Sequence, residues 1–212
     1  MGFVSDFMSE EELDRIYPDG WAALMRFVIN QSGKLRAIDN GALGHNQTFT
    51  SSEAIHTTSA AAGAALARGF RRHHGGKLQG RWRLMAASRD MWKAYRQLPV
   101  HPRQEHLIII VVFDPVSRCW RFARAHALLF GLSGAVTHFN RVPTMLVAAA
   151  RRILAIPVQH FYDDHRLLEP AICQSSGWKW FAKLSDWLGW KFDAGKDQPP
   201  MAILPLLGHL ED

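Results

Sequence analysis

The sequence predicts an α+β fold, and three observations predict it. Residues 106–113 (HLIIIVVF) are β-branched and almost wholly apolar, the signature of a buried strand, and Asp114-Pro115 turns the chain toward a partner at 119–127. Residues 134–155 keep apolar side chains at helical spacing over a length no strand reaches. No repeat, low-complexity linker or composition break separates the strand-like from the helix-like segments.

The remaining elements follow in order. Ser9 and Glu12 have capping-box spacing and open a short helix that ends near Tyr17-Pro-Asp-Gly20. Residues 34–39 (KLRAID) alternate charged with apolar and pair with Arg26–Ile29 across Gln31-Ser-Gly33. Thr50 and Glu53 form a second capping box, expected to start an alanine-rich helix to about Phe70. Residues 83–88 read as a strand leading into Asp90. Pro143 sits inside the long helix as a kink or late first-turn residue. A tryptophan-rich helix is expected from about Glu169 to Leu188, closed by Gly189; Trp178, Trp180, Trp187 and Trp190 lie near helical spacing, which favours core packing over base stacking. Short strands and turns fill 190–207.

Composition narrows the partners. The chain has 212 residues and a formal charge of +6, which suits an anionic partner. Residues 68–83 (RGFRRHHGGKLQGRWR) contain no acid, and read either as a solvated segment or as a phosphate-backbone contact. Cys119 and Cys173 have no disulfide or metal spacing. The acidic N-terminus lacks a signal-peptide core, and no apolar run reaches a membrane span of about 18 residues. The expectation is an intracellular protein of cytoplasm or nucleus, not secreted.

The segment HFYDD, residues 160–164, is the anomaly. It turns one apolar stretch into another, yet places Asp163 beside Asp164 where a hairpin favours Asn-Gly or Asp-Gly. Like charge concentrated on a poor turn breaks local propensity, which is where function is expected. Asp90 ends a second strand. Three carboxylates from two neighbouring strands suit a Mg²⁺ site, because that ion takes hard oxygen ligands, and such sites serve in-line phosphoryl transfer.

These segments, in this order, resemble the polymerase domain of a reverse transcriptase of retroelement or retrotransposon type. SRDMWKAYRQLPV (88–100) is similar to the first motif, with Asp90 followed five residues later by Tyr95. LLFGLSGAVTHFNR (128–141) is similar to the Phe-Gly-Leu turn and its helix. FYDD (161–164) matches the Tyr-x-Asp-Asp hairpin with Phe first. LGWKFDAGKDQ (188–198) resembles the lysine block, LLGHL (206–210) the Leu-Gly primer-grip block, and RFVINQSGKLRAID (26–39) the triphosphate-binding hairpin.

The resemblance implies a right-hand polymerase with fingers and palm. The palm would be a ferredoxin-like antiparallel sheet with helices on one face, and the thumb absent. Residues 1–85 would be N-terminal fingers, 86–100 the first catalytic strand of the palm, 101–140 a fingers hairpin and connection, and 141–212 palm with the Asp-Asp hairpin and primer grip. Asp90, Asp163 and Asp164, with the backbone of Met91, would hold two Mg²⁺ ions, Mn²⁺ being the alternative. Lys196 would donate a proton to the leaving pyrophosphate. Lys34 and Arg36 would clamp the triphosphate, Tyr95 would exclude a ribose 2′-OH, and Phe130 and Gly131 would flank the nascent base pair. Asn140 and Arg141 would face template or pack against the fingers, Tyr162 would meet primer or template, and Leu207 and Gly208 would guide the primer terminus. The implied partners are an RNA template, a DNA primer and dNTPs, with thumb and ribonuclease H domains elsewhere in a longer polyprotein.

The sequence departs from the family pattern at Asn30, where relatives carry a phosphate-binding lysine, at Leu129 in place of a proline, and at His165-Arg166 after the aspartates. The competing reading is a catalytically inactive or truncated remnant that only binds nucleic acid. An RNA polymerase or a nucleotidyl cyclase is a third, disfavoured by Tyr95 and by the primer-grip block.

Overall fold

The computed structural model describes residues 2–42, 53–76, 78–202, 204–206 and 209–211. The chain divides into two compact units, residues 1–54 with 94–139, and residues 55–93 with 140–212.

The first unit opens with helix α1 (Glu10–Ile16), whose Ser9 and Glu12 complete the expected capping box. Strands β1 (Ala23–Gln31) and β2 (Lys34–Asp39) form an antiparallel ribbon. Asn30 Oδ1 accepts the Gly33 N–H at 3.0 Å, so the residue standing where relatives carry a lysine is committed to the ribbon's turn. β1 also runs parallel to β4 (Ile109–Asp114), which pairs antiparallel with β5 (Cys119–Arg124), giving the order β2-β1-β4-β5. The apolar run at 106–113 feeds a layer on each face of this sheet, as continuous hydrophobic strands do. Ile110 joins Leu24, Val100, Ala125 and Leu129, while Ile109 joins Leu13 and Phe122. The strand starts three residues later than expected because Pro102–Leu107 is a 3₁₀ segment with proline at its first turn.

The second unit is built on β3 (Leu84–Asp90), helix α3 (Ser133–Leu154, of which residues from 140 onward lie here), β6 (Val158–Phe161), β7 (Asp164–Pro170), helix α4 (Ser176–Trp187) and β8 (Gln198–Met201). The sheet order β6-β7-β3-β8, with every pair antiparallel, is the ferredoxin-like arrangement expected from the sequence. β8 carries Pro199 and Pro200 and accordingly takes an edge.

Strand alternation sorts the faces. Val158, His160, His165, Leu167 and Glu169 point one way, toward α3 and α4: Thr144 Oγ1 bonds His160 Nε2 at 3.3 Å, and the His165 ring lies 5.4 Å from that of Phe181. The opposite face carries Ala86, Ser88, Asp90, Asp164, Arg166 and Leu168. Helix α2 (Ala60–His73) covers its lower half, with Leu66 against Ala86 and Leu168, and Gln159 Nε2 donating to the Ala62 carbonyl at 3.1 Å. The expectation of helices on one face thus holds for the two crossover helices, α3 and α4, and α2 is added on the other. Residues 55–85, grouped by sequence with the N-terminal fingers, belong to this unit through that packing, and residues 94–100 belong to the first. Strands β9 (Leu204–Leu206) and β10 (His209–Glu211) form a separate antiparallel pair.

Three expectations are corrected. Helix α2 starts at Ala60, not after Thr50, which lies outside the described residues. Thr58 instead donates both its N–H and its hydroxyl to the His160 carbonyl of β6, so tertiary hydrogen bonding overrides the local helix signal. Helix α4 starts at Ser176 because β7 continues its pairing with β3 as far as Pro170. The core face of α4 is Phe181, Leu184 and Ser185; Trp180 and Trp187 are exposed, and Trp178 lies under the Arg89 guanidinium at 4.4 Å.

Candidate active site

The β3–β7 register makes Asp90 and Asp164 direct cross-strand partners at the uncovered end of the sheet. Directly opposed residues stand about 4.5–5.5 Å apart at Cα, so the two carboxylates share one neighbourhood. Tyr162 and Asp163 form the two-residue turn, with Tyr162 at φ 52° in the left-handed region that asparagine or glycine fills at no cost. The turn is pinned from behind: the Asp163 carbonyl accepts the Met91 N–H at 3.1 Å and lies 3.1 Å from His165 Nδ1. Met91 and His165 are both buried, so this anchor is part of the core.

A second segment, residues 191–197, is stitched to the end of β3. Trp92 N–H donates to the Lys191 carbonyl, Asp193 N–H donates to the Asp90 carbonyl, and Met91 bridges Phe192. Side chains then lock it in two directions. Arg89 Nε donates to Asp197 Oδ1 at 3.1 Å on the helix side, and Lys196 Nζ donates to Asp90 Oδ2 on the open side.

Electrostatics marks the cluster as short of positive charge. Burial raises the Asp163 carboxyl above its ordinary range, with Asp90 adding repulsion. Burial, then Asp163, then Asp90 push Asp164 up to about 6. The hydrogen bond to Asp90 raises Lys196, which keeps its ammonium charged at neutral pH. Behind the turn, burial and the neighbouring His160 hold His165 down at about 3, so it is a neutral imidazole.

The donor set is all hard oxygen, and the repulsion that Lys196 only partly offsets is what a divalent cation would relieve further. Among the described residues no group of three or more His, Cys, Asp or Glu side chains is placed to hold a metal ion, and Asp90 is engaged with Lys196.

The first unit carries the residues expected at the nucleotide. Tyr95 is 7% exposed, with its ring centroid 4.5 Å from both Phe130 and Phe139, while Phe130 is half open to solvent. Gly131 has φ 103°, and a Cβ there would run into the Asp39 carbonyl. Lys34 and Arg36 are exposed on β2, on the ribbon face shared with Gln31 and Ile29. In the second unit Arg141 is exposed, whereas Asn140 is buried and donates to the His56 carbonyl at 3.1 Å. Leu207 and Gly208 lie outside the described residues.

Sequence reasoning passed over two acids. Asp197 holds Arg89, and Asp39 is fully buried, bidentate with Arg26. The signal for Asp39 was present in the hairpin, because pairing 26–31 with 34–39 sets Arg26 opposite Asp39.

No family model and no curated protein matches the chain by sequence. Solved structures do match. The foamy viral protease-reverse transcriptase in complex with double-stranded DNA aligns with a TM-score of 0.66 at 10% identity, over 89% of this chain and 29% of that one. The native prototype foamy virus protease-reverse transcriptase gives 0.64 at 14%, over 90% and 23%. Its CSH mutant gives 0.68 at 13%, over 100% and 24%. The chain has a reverse transcriptase fold. It spans about a quarter of the length of those reverse transcriptases, and the likeness, at this identity, is one of fold.

Proposed function

We propose that this chain is the catalytic core of an RNA-directed DNA polymerase, adding dNTPs to a primer 3′-OH on an RNA template. The observation that carries the reading is the register: within a reverse transcriptase fold, Asp90 and Asp164 face each other across β3 and β7, with Asp163 at the adjoining turn. In this reading the first unit supplies fingers and the second the palm. Asp90, Asp163 and Asp164, with the Met91 carbonyl, would hold two Mg²⁺ ions, or Mn²⁺. Those ions supply activation of the attacking hydroxyl and charge stabilisation at the leaving phosphate.

The chain's own groups do the rest. Lys34 and Arg36 present cationic donors that suit the β- and γ-phosphates. Tyr95, held by Phe130 and Phe139, forms a rigid floor that disfavours a 2′-OH. Lys196 holds a proton beside Asp90 that it can give to pyrophosphate as it leaves. A retrotransposon origin agrees with the motif order, and an intracellular setting would follow from that origin. Among the described residues no helix is long and apolar enough to cross a membrane.

A second reading, a nucleic-acid-binding remnant, is favoured by one observation, the engagement of Asp90 by Lys196. Primer extension on an RNA template with Mg²⁺, comparing dNTPs with rNTPs and the native chain with Asp163→Asn, decides between them. Extension with dNTPs that vanishes in the variant supports the polymerase. Duplex binding without extension supports the remnant.

A further inference from the structure

Asp39 is the most enclosed charge of the first unit, 0% exposed, and its ion pairs join segments that the polymerase reading assigns to the nucleotide. Its carboxylate takes Arg26 in a bidentate grip, 2.7 Å to Nε and 3.1 Å to Nη2, across the base of the β1–β2 ribbon. The same carboxylate lies 3.7 Å from Arg96, the residue after Tyr95. Its backbone carbonyl accepts the Gly41 N–H at 3.1 Å and lies where a Cβ of Gly131 would be. One residue therefore meets three separate pieces of chain: the ribbon that carries Lys34 and Arg36, the 3₁₀ segment Ala94–Gln97 that carries Tyr95, and the turn that carries Phe130.

A buried carboxylate between two guanidinium groups is a costly way to gain stability, since apolar side chains would fill the space as well. What it provides is a fixed geometry, because bidentate Arg–carboxylate pairs constrain direction as well as distance.

We infer that Asp39 is a positioning residue for nucleotide selection, setting the phosphate-binding ribbon against the Tyr95–Phe130 floor. The inference rests on the polymerase reading. Asp39 touches no substrate; it acts through Arg26, Arg96 and the Gly131 turn. A displaced floor or ribbon loosens nucleotide binding and weakens the exclusion of a 2′-OH, while the acids of the second unit keep their own supports.

The test compares the native chain with Asp39→Asn, Arg96→Gln and the conservative Arg96→Lys. Thermal melts followed by circular dichroism establish which variants fold. Nucleotide binding is then read without chemistry, as dNTP- or rNTP-dependent retention of the chain on a dideoxy-terminated primer annealed to RNA, and extension kinetics give KM and kcat separately. The expected result is a rise of about tenfold or more in the dNTP KM with kcat changed less than about threefold, a reduced dNTP-over-rNTP preference, and partial recovery in Arg96→Lys. If Asp39→Asn fails to melt cooperatively, Arg96→Gln decides, because it leaves the Arg26 pair intact. Variants that fold and discriminate like the native chain overturn the inference and leave the polymerase reading standing. A native chain with no nucleotide-dependent retention overturns both.

Discussion

Asp90 and Asp164 stand opposite each other on adjacent strands, like charges in a position where sheets otherwise place complementary pairs. The arrangement has a thermodynamic signature. Asp164 rises to about 6 from an ordinary 3.8, so the fold favours its protonated form. Its contribution to stability is fully present below about pH 3.8 and is lost as pH rises through about 6. Asp164→Asn should therefore be more stable than the native chain at pH 7.5, by on the order of 1–3 kcal/mol, with the gap closing at pH 4. Urea denaturation of both proteins without divalent metal at the two pH values measures it; an equal gap at both would refute the coupling.

His165 carries the opposite sign. Its folded pKa of about 3 lies below the ordinary 6.5, because it is 1% exposed and His160 adjoins it. Protonation favours the unfolded chain, so stability is present above about pH 6.5 and is lost as pH falls toward 3. His165→Asn keeps a donor near the position of Nδ1, facing the Asp163 carbonyl, and has no titrating group. The variant should lose less stability than the native chain between pH 6.5 and 4, read as a shallower fall in melting temperature. Parallel curves would mean that the imidazole is not held neutral.

Gly63 in α2 sits over the Arg166 guanidinium so closely that a Cβ would occupy its place. Alanine would gain about 1 kcal/mol of helix propensity at an ordinary site. Here overpacking against a buried cation should outweigh that gain and give a net loss of about 1–3 kcal/mol. In an Arg166→Ala background the same substitution should turn neutral or stabilising. Chemical denaturation of the four proteins closes the cycle, and additive effects would show that α2 does not rest on Arg166.

Much of this fold was legible because local and long-range signals agreed. The Ser9–Glu12 box, the KLRAID ribbon and the 106–113 strand each combine propensity with a partner close in sequence. The errors fall where distant pairing outweighed a local pattern: Thr58 was drawn to His160, and Glu169 was held by β3 although a helix signal surrounds it. The acids at 163 and 164 were readable because they violate turn chemistry, and Asp90 because it ends a strand at the start of the first motif. Asp39 violates nothing locally; the hairpin pairing sets it opposite Arg26, but its full burial and its contact with Arg96 come only from the tertiary fold.

Lys196 is 62% exposed, yet it bonds Asp90 and lowers the carboxyl pKa of both Asp163 and Asp164 through its charge. Removing it should therefore act at a distance. In Lys196→Met, Asp164 should titrate above 6 and Asp163 should move upward with it, because burial and mutual repulsion remain while the compensating cation is gone. Carboxyl ¹³C chemical shifts followed from pH 3 to 9 measure both groups. If Lys196 also supplies the proton to pyrophosphate, extension by the variant should fall by roughly 10²–10⁴-fold in kcat, the range of a lost general acid, with a smaller change in dNTP KM. A shifted titration with unchanged kcat would leave Lys196 as a counter-charge that tunes the aspartates. An unshifted titration would instead show that its ion pair with Asp90 does not persist in solution, and the acids would then owe their pKa values to burial and to one another.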